Sequence, residues 1–277
     1  MLLKNKNAVI YGAGGSMGGA VAKALAAAGA TVFLTGHKKE SVQKTADTIT
    51  AAGGKATIDI VDAFDEKAIN EHLIKVKQTA GTVDISFNAT GIPVVQDVPL
   101  VKLSMDDFVR PVTLTLQTQF LTATAAGRIM LQQQSGVILT LTATPGGIGY
   151  PYTGGFAAAC CALESFTRNL AIELGTHNIR VVNIRSGGSP DSRIFKEAID
   201  NYPEVMETVL GKMKADTMLK KLPLMEDIAN TAVFVASSMA AKITGITIDL
   251  TAGTTAGLNY RSDAAKNLGD DFVTLLK

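Results

Sequence analysis

The sequence predicts an α/β fold, a doubly wound parallel sheet of seven strands with helices on both faces. Three observations carry that expectation. Short apolar runs of strand length alternate with longer stretches of helical period along the chain. The connections between them are short and rich in glycine, as expected where helical crossovers join parallel strands. A glycine cluster occupies the first strand-to-helix junction.

Ala8-Val9-Ile10-Tyr11 reads as the first strand, a continuous apolar run bounded by Asn7 and Gly12 and so buried on both faces. Met17 to Ala28 is alanine-rich and helical, and Gly29 closes it. Thr31 to Thr35 is the second strand and Glu40 to Ala52 the second helix, stopped by Gly53-Gly54. Ala56 to Val61 is the third strand, Asp65 to Thr79 the third helix, ended by Gly81, and Asp84 to Phe87 the fourth strand. Ser104 caps a long helix running to about Gln133, with Pro111 as an internal kink. Val137 to Leu141 is the fifth strand, Gly155 to Leu174 a helix capped by Gly175, and Ile179 to Ile184 the sixth strand. Arg185 to Ser192 reads as a polar, irregular loop leading into helical sequence around Ile194 to Met213. Glu226 to Met239 is a further helix and Thr247 to Leu250 the last strand. No linker or repeat divides the chain, so residues 1–257 are expected to form one domain and 258–277 a tail that packs on a neighbouring subunit.

Composition narrows the function classes. Of 277 residues, 47% are hydrophobic and 18% charged, enough apolar material for a full core. The formal charge of +1 leaves no electrostatic footprint for nucleic acid or an anionic membrane. Lys23 interrupts the best candidate for a membrane span, and no signal-like apolar run precedes the first glycines. Cys160 and Cys161 are adjacent and give no disulfide framework, which points to a reducing cytoplasm. His37, His72 and His177 are scattered and form no metal-ligand spacing.

Tyr11-Gly12-Ala13-Gly14-Gly15-Ser16-Met17-Gly18 lies between the first strand and the first helix. Glycine permits the sharp turn, and the helix start then offers free N–H groups and a positive dipole end to phosphate. In a first βα unit this spells a dinucleotide site in a Rossmann-type fold. After the second strand, a carboxylate would favour NAD through the ribose 2′-hydroxyl, but the chain reads Gly36-His37-Lys38-Lys39. His37 and Lys38 there suit a 2′-phosphate, and NADP(H) is expected over NAD(H).

With these segments the chain resembles the short-chain dehydrogenase/reductase family in its compact form, from residue 6 to about 254. Gly12 and Gly18 match the family's glycine motif, while Tyr11 stands for its threonine and Ser16 for its middle glycine. Asp62 falls on the family's adenine-contacting aspartate, and Asn88-Ala89-Thr90-Gly91 on its Asn-Asn-Ala-Gly. Thr167 to Glu173, Ile179-Arg180-Val181 and Ile243-Thr244-Gly245 look like further family segments. The resemblance implies that Gly12, Gly15, Ser16, Met17, Gly18, His37, Lys38, Asp62, Ala63, Asn88, Ala89 and Gly91 hold the dinucleotide. It also implies a flap over the substrate at about 186–218, an oxidoreductase activity on a small molecule, and a homodimer or homotetramer built on the two long helices.

The family's catalytic residues do not carry over. Its asparagine falls on Thr115, its serine on Ala143, its tyrosine on Phe156 and its lysine on Cys160. In carbonyl reduction that tyrosine gives a proton to oxygen, its pKa lowered by the lysine. Phe156 has no proton to give, and Ala143 cannot hydrogen-bond a substrate oxygen. Such acid catalysis is worth roughly 10²–10⁴-fold, so the usual mechanism is not expected. Thr142, Thr144, Tyr150, Tyr152 and Cys160 are the remaining polar groups near the vacated positions. Met206, Met213 and Met218 could line an apolar pocket under the flap. The alternative to a diverged oxidoreductase is an inactive nucleotide-binding sensor, regulator or partner subunit.

Overall fold

The computed structural model describes residues 1–257; the tail expected to pack on a neighbour lies outside the described residues. In chain order the elements are β1 (Asn7–Tyr11), α1 (Ser16–Ala27), β2 (Thr31–Gly36), α2 (Lys39–Ala51), β3 (Lys55–Ile60), α3 (Glu66–Ala80) and β4 (Ile85–Asn88). There follow α4 (Met105–Gln133), β5 (Gly136–Ala143), α5 (Gly155–Leu174), β6 (Ile179–Ser186), α6 (Arg193–Asn201), α7 (Pro203–Asp216), α8 (Met225–Ala236) and β7 (Thr247–Leu250). The seven strands form one sheet in the order β3-β2-β1-β4-β5-β6-β7, every pair parallel.

The alternating side chains of the sheet explain the two layers. Ala8, Ile10, Val32, Leu34, Leu139 and Val182 face one way and pack with α1, α2 and α8. Val9, Tyr11, Phe33, Ile138 and Val181 face the other way and pack with α3, α4 and α5. Both faces are covered, which is why the strands read as unbroken apolar runs. Among the described residues no helix is long and apolar enough to cross a membrane.

The structure departs from the sequence expectation chiefly in its second half. β5 runs to Ala143, and β6 continues through Arg185 to Ser186, so the polar loop starts later than its composition implies. Arg185 looks like loop because a charge in a central strand is costly; here it is matched by buried partners. The segment expected to form the flap is two helices, broken at Tyr202-Pro203: Tyr202 leaves helical geometry at φ −140° and ψ 61°, and Pro203 opens α7 at a position where proline is tolerated. As expected, α4 runs from Met105 to Gln133 with Pro111 inside it, capped by Ser104 Oγ accepting the Asp107 N–H at 3.1 Å. Gly175 does not take the left-handed C-cap geometry; α5 passes into a single 3₁₀ turn, and Asn178 adopts it instead at φ 57°.

Candidate active site and dinucleotide cradle

Strand order reverses between β1 and β4: each is followed by a crossover leading away from the other, and a crevice opens at their carboxyl ends. Tyr11 and Asn88, the last residues of the two strands, lie opposite each other. Gly12 therefore meets Ala89. A Cβ on Gly12 would stand 2.6 Å from the Ala89 carbonyl oxygen, and its φ of +69° is itself costly for any other residue. A Cβ on Gly18 would stand 2.4 Å from the Gly12 carbonyl oxygen, so the first turn of α1 rests directly on the loop. Gly15 is the N-cap, without a side-chain cap, and no acidic residue sits in the first turn. The N–H groups of Ser16 and Met17 and the positive end of the helix thus face the crevice without an internal counter-charge.

The neighbouring strand ends bring the other expected residues to the same edge. His37 and Lys38 follow β2; Lys38 is the exposed N-cap of α2, and His37 Nδ1 lies 4.0 Å from Asp62 Oδ1. Asp62 Oδ1 accepts the Phe64 N–H at 2.9 Å, which fixes the turn after β3. The Ala63 carbonyl accepts from Thr118 Oγ1 at 3.0 Å. Asn88 is buried, its Nδ2 donating to Thr118 Oγ1 and Thr122 Oγ1 at 3.1 and 3.0 Å, its Oδ1 accepting the Thr90 N–H at 2.9 Å. The Asn88 side chain is therefore spent on joining α4 to β4, and what it offers a ligand is a rigid edge. A Cβ at Gly91 would meet open space, so that position lies beside a free volume.

On the other side of the sheet's edge lie the four positions, Thr115, Ala143, Phe156 and Cys160, that the resemblance aligned with catalytic residues. Ala143 ends β5, and Thr115 sits half-buried on α4. Phe156 and Cys160 lie in the first two turns of α5. That helix can start there because Gly155 has no side chain: a Cβ would be 1.9 Å from the Phe108 carbonyl oxygen of α4. Cys160 is buried, and burial pushes its thiol up to about 11, partly offset by the Ala143 N–H. A thiol so placed packs as a small apolar group and is not an activated nucleophile.

Of the remaining polar groups, the structure brings two together. Thr144 and Tyr150 share a cavity of about 20 Å³ with Gly187, Gly188, Met213 and Asp216. Burial, and secondarily the Asp216 charge, raises the Tyr150 phenol above its ordinary value, so it is protonated at neutral pH. Tyr152 is exposed in a left-handed conformation, φ 61°. Thr142 Oγ1 donates to Glu164 Oε1 at 2.9 Å and is committed there. Of the three flap methionines, Met213 lines the cavity and Met218 packs on Gly253 and Gly257.

Sequence reading missed what lies directly beneath these positions. Thr142, Arg185 and Asp249 are in register across β5, β6 and β7. Arg185 forms a two-pronged pair with Glu164 of α5, Nε to Oε1 at 2.9 Å and Nη2 to Oε2 at 2.6 Å, and Nη1 reaches Asp249 Oδ2 at 2.8 Å. The Glu164 bonds hold the guanidinium firmly charged. Burial alone would raise the Asp249 carboxyl, but bonds from Thr251, Thr255 and Arg185 overrule it and hold it below its ordinary value. Arg185 also lies against Gly147, and its Nη2 approaches the Gly146 carbonyl at 3.4 Å, so the loop after β5 rests on this layer. The only signal in the sequence was an arginine directly after the strand-like segment Ile179 to Ile184.

Comparison with known proteins agrees with this architecture. A family model described as enoyl-(acyl carrier protein) reductase matches residues 12–255. A 3alpha-hydroxysteroid dehydrogenase of Mediterraneibacter gnavus is 31% identical over 247 residues, 88% of this chain and 95% of the relative. The 3-oxoacyl-[acyl-carrier-protein] reductase FabG of Pseudomonas aeruginosa is 30% identical, over 91% of this chain and 98% of its own. A short-chain type dehydrogenase/reductase from Mycobacterium marinum superposes with a TM-score of 0.79 at 26% identity, covering 92% of this chain and 97% of that one.

Proposed function

The chain belongs to the short-chain dehydrogenase/reductase family of oxidoreductases, which bind NAD(H) or NADP(H), and from that premise we propose that it binds NADP(H) in preference to NAD(H). We further propose that it handles an unidentified small substrate without the family's Asn-Ser-Tyr-Lys proton transfer. The observation that carries the reading is the contrast along one edge. Gly12 and Gly18 leave a cradle that a single Cβ would fill, while Ala143, Phe156 and Cys160 stand where proton-handling groups are expected.

The residues present fit the dinucleotide. The start of α1, with no carboxylate in its first turn, suits a pyrophosphate. His37 and Lys38 suit a 2′-phosphate, and no carboxylate stands at the end of β2 to select a free 2′-hydroxyl. When bound, the nicotinamide would supply or accept a hydride. This chain's own residues would place it: the loop at the pyrophosphate, the Asp62 turn at the adenosine, the rigid Asn88–Ala89 edge beneath. Any proton needed at the substrate would come from Tyr150 or Thr144, which share the flap cavity, or from water or the substrate itself.

The second reading, a dinucleotide-binding sensor or partner subunit without turnover, draws on the buried, un-ionised Cys160 at the lysine position. Assembly as a homodimer or homotetramer through α4 and α5 is part of the proposal; Phe120 and Ile172 are exposed on those helices. Calorimetric titration with NADPH and NADH tests the cofactor: tight NADPH with weak NADH is expected, and binding of neither would sink the reading. Ala143→Ser, Phe156→Tyr and Cys160→Lys together should then create carbonyl reductase activity, by up to about a hundredfold over the parent if only the acid is missing. A folded, NADPH-binding triple variant without a gain would mean that the substrate pocket has diverged too.

A further inference from the structure

The polar lining of the flap cavity is of one kind. Thr144, Tyr150 and Thr251 bring oxygens to it, Asp216 brings a carboxylate, and among the described residues no lysine, arginine or histidine lines it. Two of the hydroxyl protons are directed elsewhere. Thr144 Oγ1 donates to the Ser186 carbonyl at 3.5 Å, and Thr251 Oγ1 donates to Asp249 Oδ1. What these two oxygens offer the cavity is therefore lone pairs. With a volume of about 20 Å³, the cavity admits one group of the size of a water molecule.

Asp216 stands against its surroundings. It is the last residue of α7, at the helix's negative end, where a carboxylate is repelled and a cation favoured. Lys212 and Lys214 lie four and two residues before it and Lys220 four after it. Among the described residues none of them pairs with it, and Lys220 Nζ donates to the Ala215 carbonyl instead. Asp216 is exposed at the cavity mouth, and its charge reaches inward to act on the Tyr150 phenol. A negative charge that its helix disfavours, facing a set of acceptors, calls for a cation that donates in several directions. An alkylammonium does so, with three N–H donors and no acceptor.

Resting on the oxidoreductase reading above, we propose that the flap cavity is the subsite for a protonated amine of the substrate, with Asp216 as its counter-charge and the Thr144, Tyr150 and Thr251 oxygens as its acceptors. The substrate class is then a small primary amine, held by its nitrogen beneath the flap. Thr144 follows Ala143 directly, so the ammonium brings a proton of its own to the end of β5, where Ala143 offers none.

The test follows the full chain by NMR with ¹³C in its tyrosine rings, the Tyr150 signal being assigned with Tyr150→Phe. Methylammonium chloride is the probe at constant ionic strength, with methanol as its neutral counterpart and ammonium chloride as the free ion. Methylammonium should displace the Tyr150 signal saturably, and methanol should not. Asp216→Asn should weaken methylammonium roughly tenfold, the scale of one charge-assisted contact, and Asp216→Glu should keep part of the affinity. Both variants should bind NADPH as the parent does. No saturable displacement in the parent, or equal affinity in Asp216→Asn, would overturn the assignment. Ammonium bound as tightly as methylammonium would overturn it in favour of a free-ion site. If the parent bound neither NADPH nor NADH, the dinucleotide reading would fall instead, a separate result because the methylammonium titration does not involve the cofactor.

Discussion

The two ends of the sheet's carboxyl edge are made of different material. Around β1 and β4 the site consists of backbone and empty space, defined by atoms that Gly12 and Gly18 do not have. Around β5, β6 and β7 it consists of side chains bonded to each other, from Thr167 through Thr140, Asn183 and Thr142 to Glu164, Arg185 and Asp249. The first kind of site tolerates no added atom and the second no removed one. A fold can therefore keep the ability to bind while the chemistry beside it changes, because the two depend on different residues.

The largest expected effect lies in the bonded half. Arg185→Ala strands Glu164, whose side chain is 6% exposed, and breaking such a buried pair costs about 3–5 kcal/mol. Urea unfolding should show it as a lower midpoint at unchanged slope. Replacing both partners, Glu164→Leu with Arg185→Met, should recover most of the loss, since Asp249 keeps its bonds from Thr251 and Thr255 and Thr142 still accepts from Asn183. A double variant as unstable as the single would mean that the network's worth is not in this pair.

In the empty half, Gly12→Val should lower NADPH affinity on the order of a hundredfold, ~2.7 kcal/mol, measured on protein whose circular dichroism is unchanged. Unaltered binding would break the comparison, for the cradle would then not depend on vacant space.

A smaller effect separates the halves by pH. Asp249 is held below its ordinary value, so it contributes stability that is present above the unfolded carboxylate pKa, about 4. That contribution is lost as pH falls through the lowered folded value. Thermal midpoints of the parent should therefore drop more steeply below about pH 4 than those of Asp249→Asn. Parallel curves would show that the bonds around Asp249 carry no net stability.

The smallest is chemical. With its thiol near 11, native Cys160 should resist iodoacetamide at about pH 8, where only on the order of a thousandth of it is thiolate. Cys161, which is exposed, should be modified, and peptide mass spectrometry distinguishes the two. Rapid labelling of Cys160 would revive it as a functional thiol.

How far each half was legible follows from the same difference. The glycine turn between β1 and α1 reads directly, because close backbone approach there needs residues without a side chain, and the layer pattern follows from apolar runs such as Ala8 to Tyr11. Arg185 misled because its partners, Glu164 and Asp249, are 21 and 64 positions away, and nothing local marks a charge as matched. The bond from the Arg193 N–H to Ser16 Oγ spans 177 positions and was invisible for the same reason. Gly175 stands at the C-cap of α5 as its position implies, but the left-handed turn falls one 3₁₀ turn later, on Asn178.

Neither α6 nor α7 contains a fully buried residue, whereas every strand from β4 to β6 is mostly buried. Displacement of the proposed flap would therefore expose no fully buried residue of α6 or α7, which puts it at the low end of the molecule's range of local unfolding energies. Core substitutions that raise the melting temperature should leave the residence time of whatever sits beneath the flap untouched. Thermal robustness and the rate of exchange with solvent are, in this chain, separately adjustable.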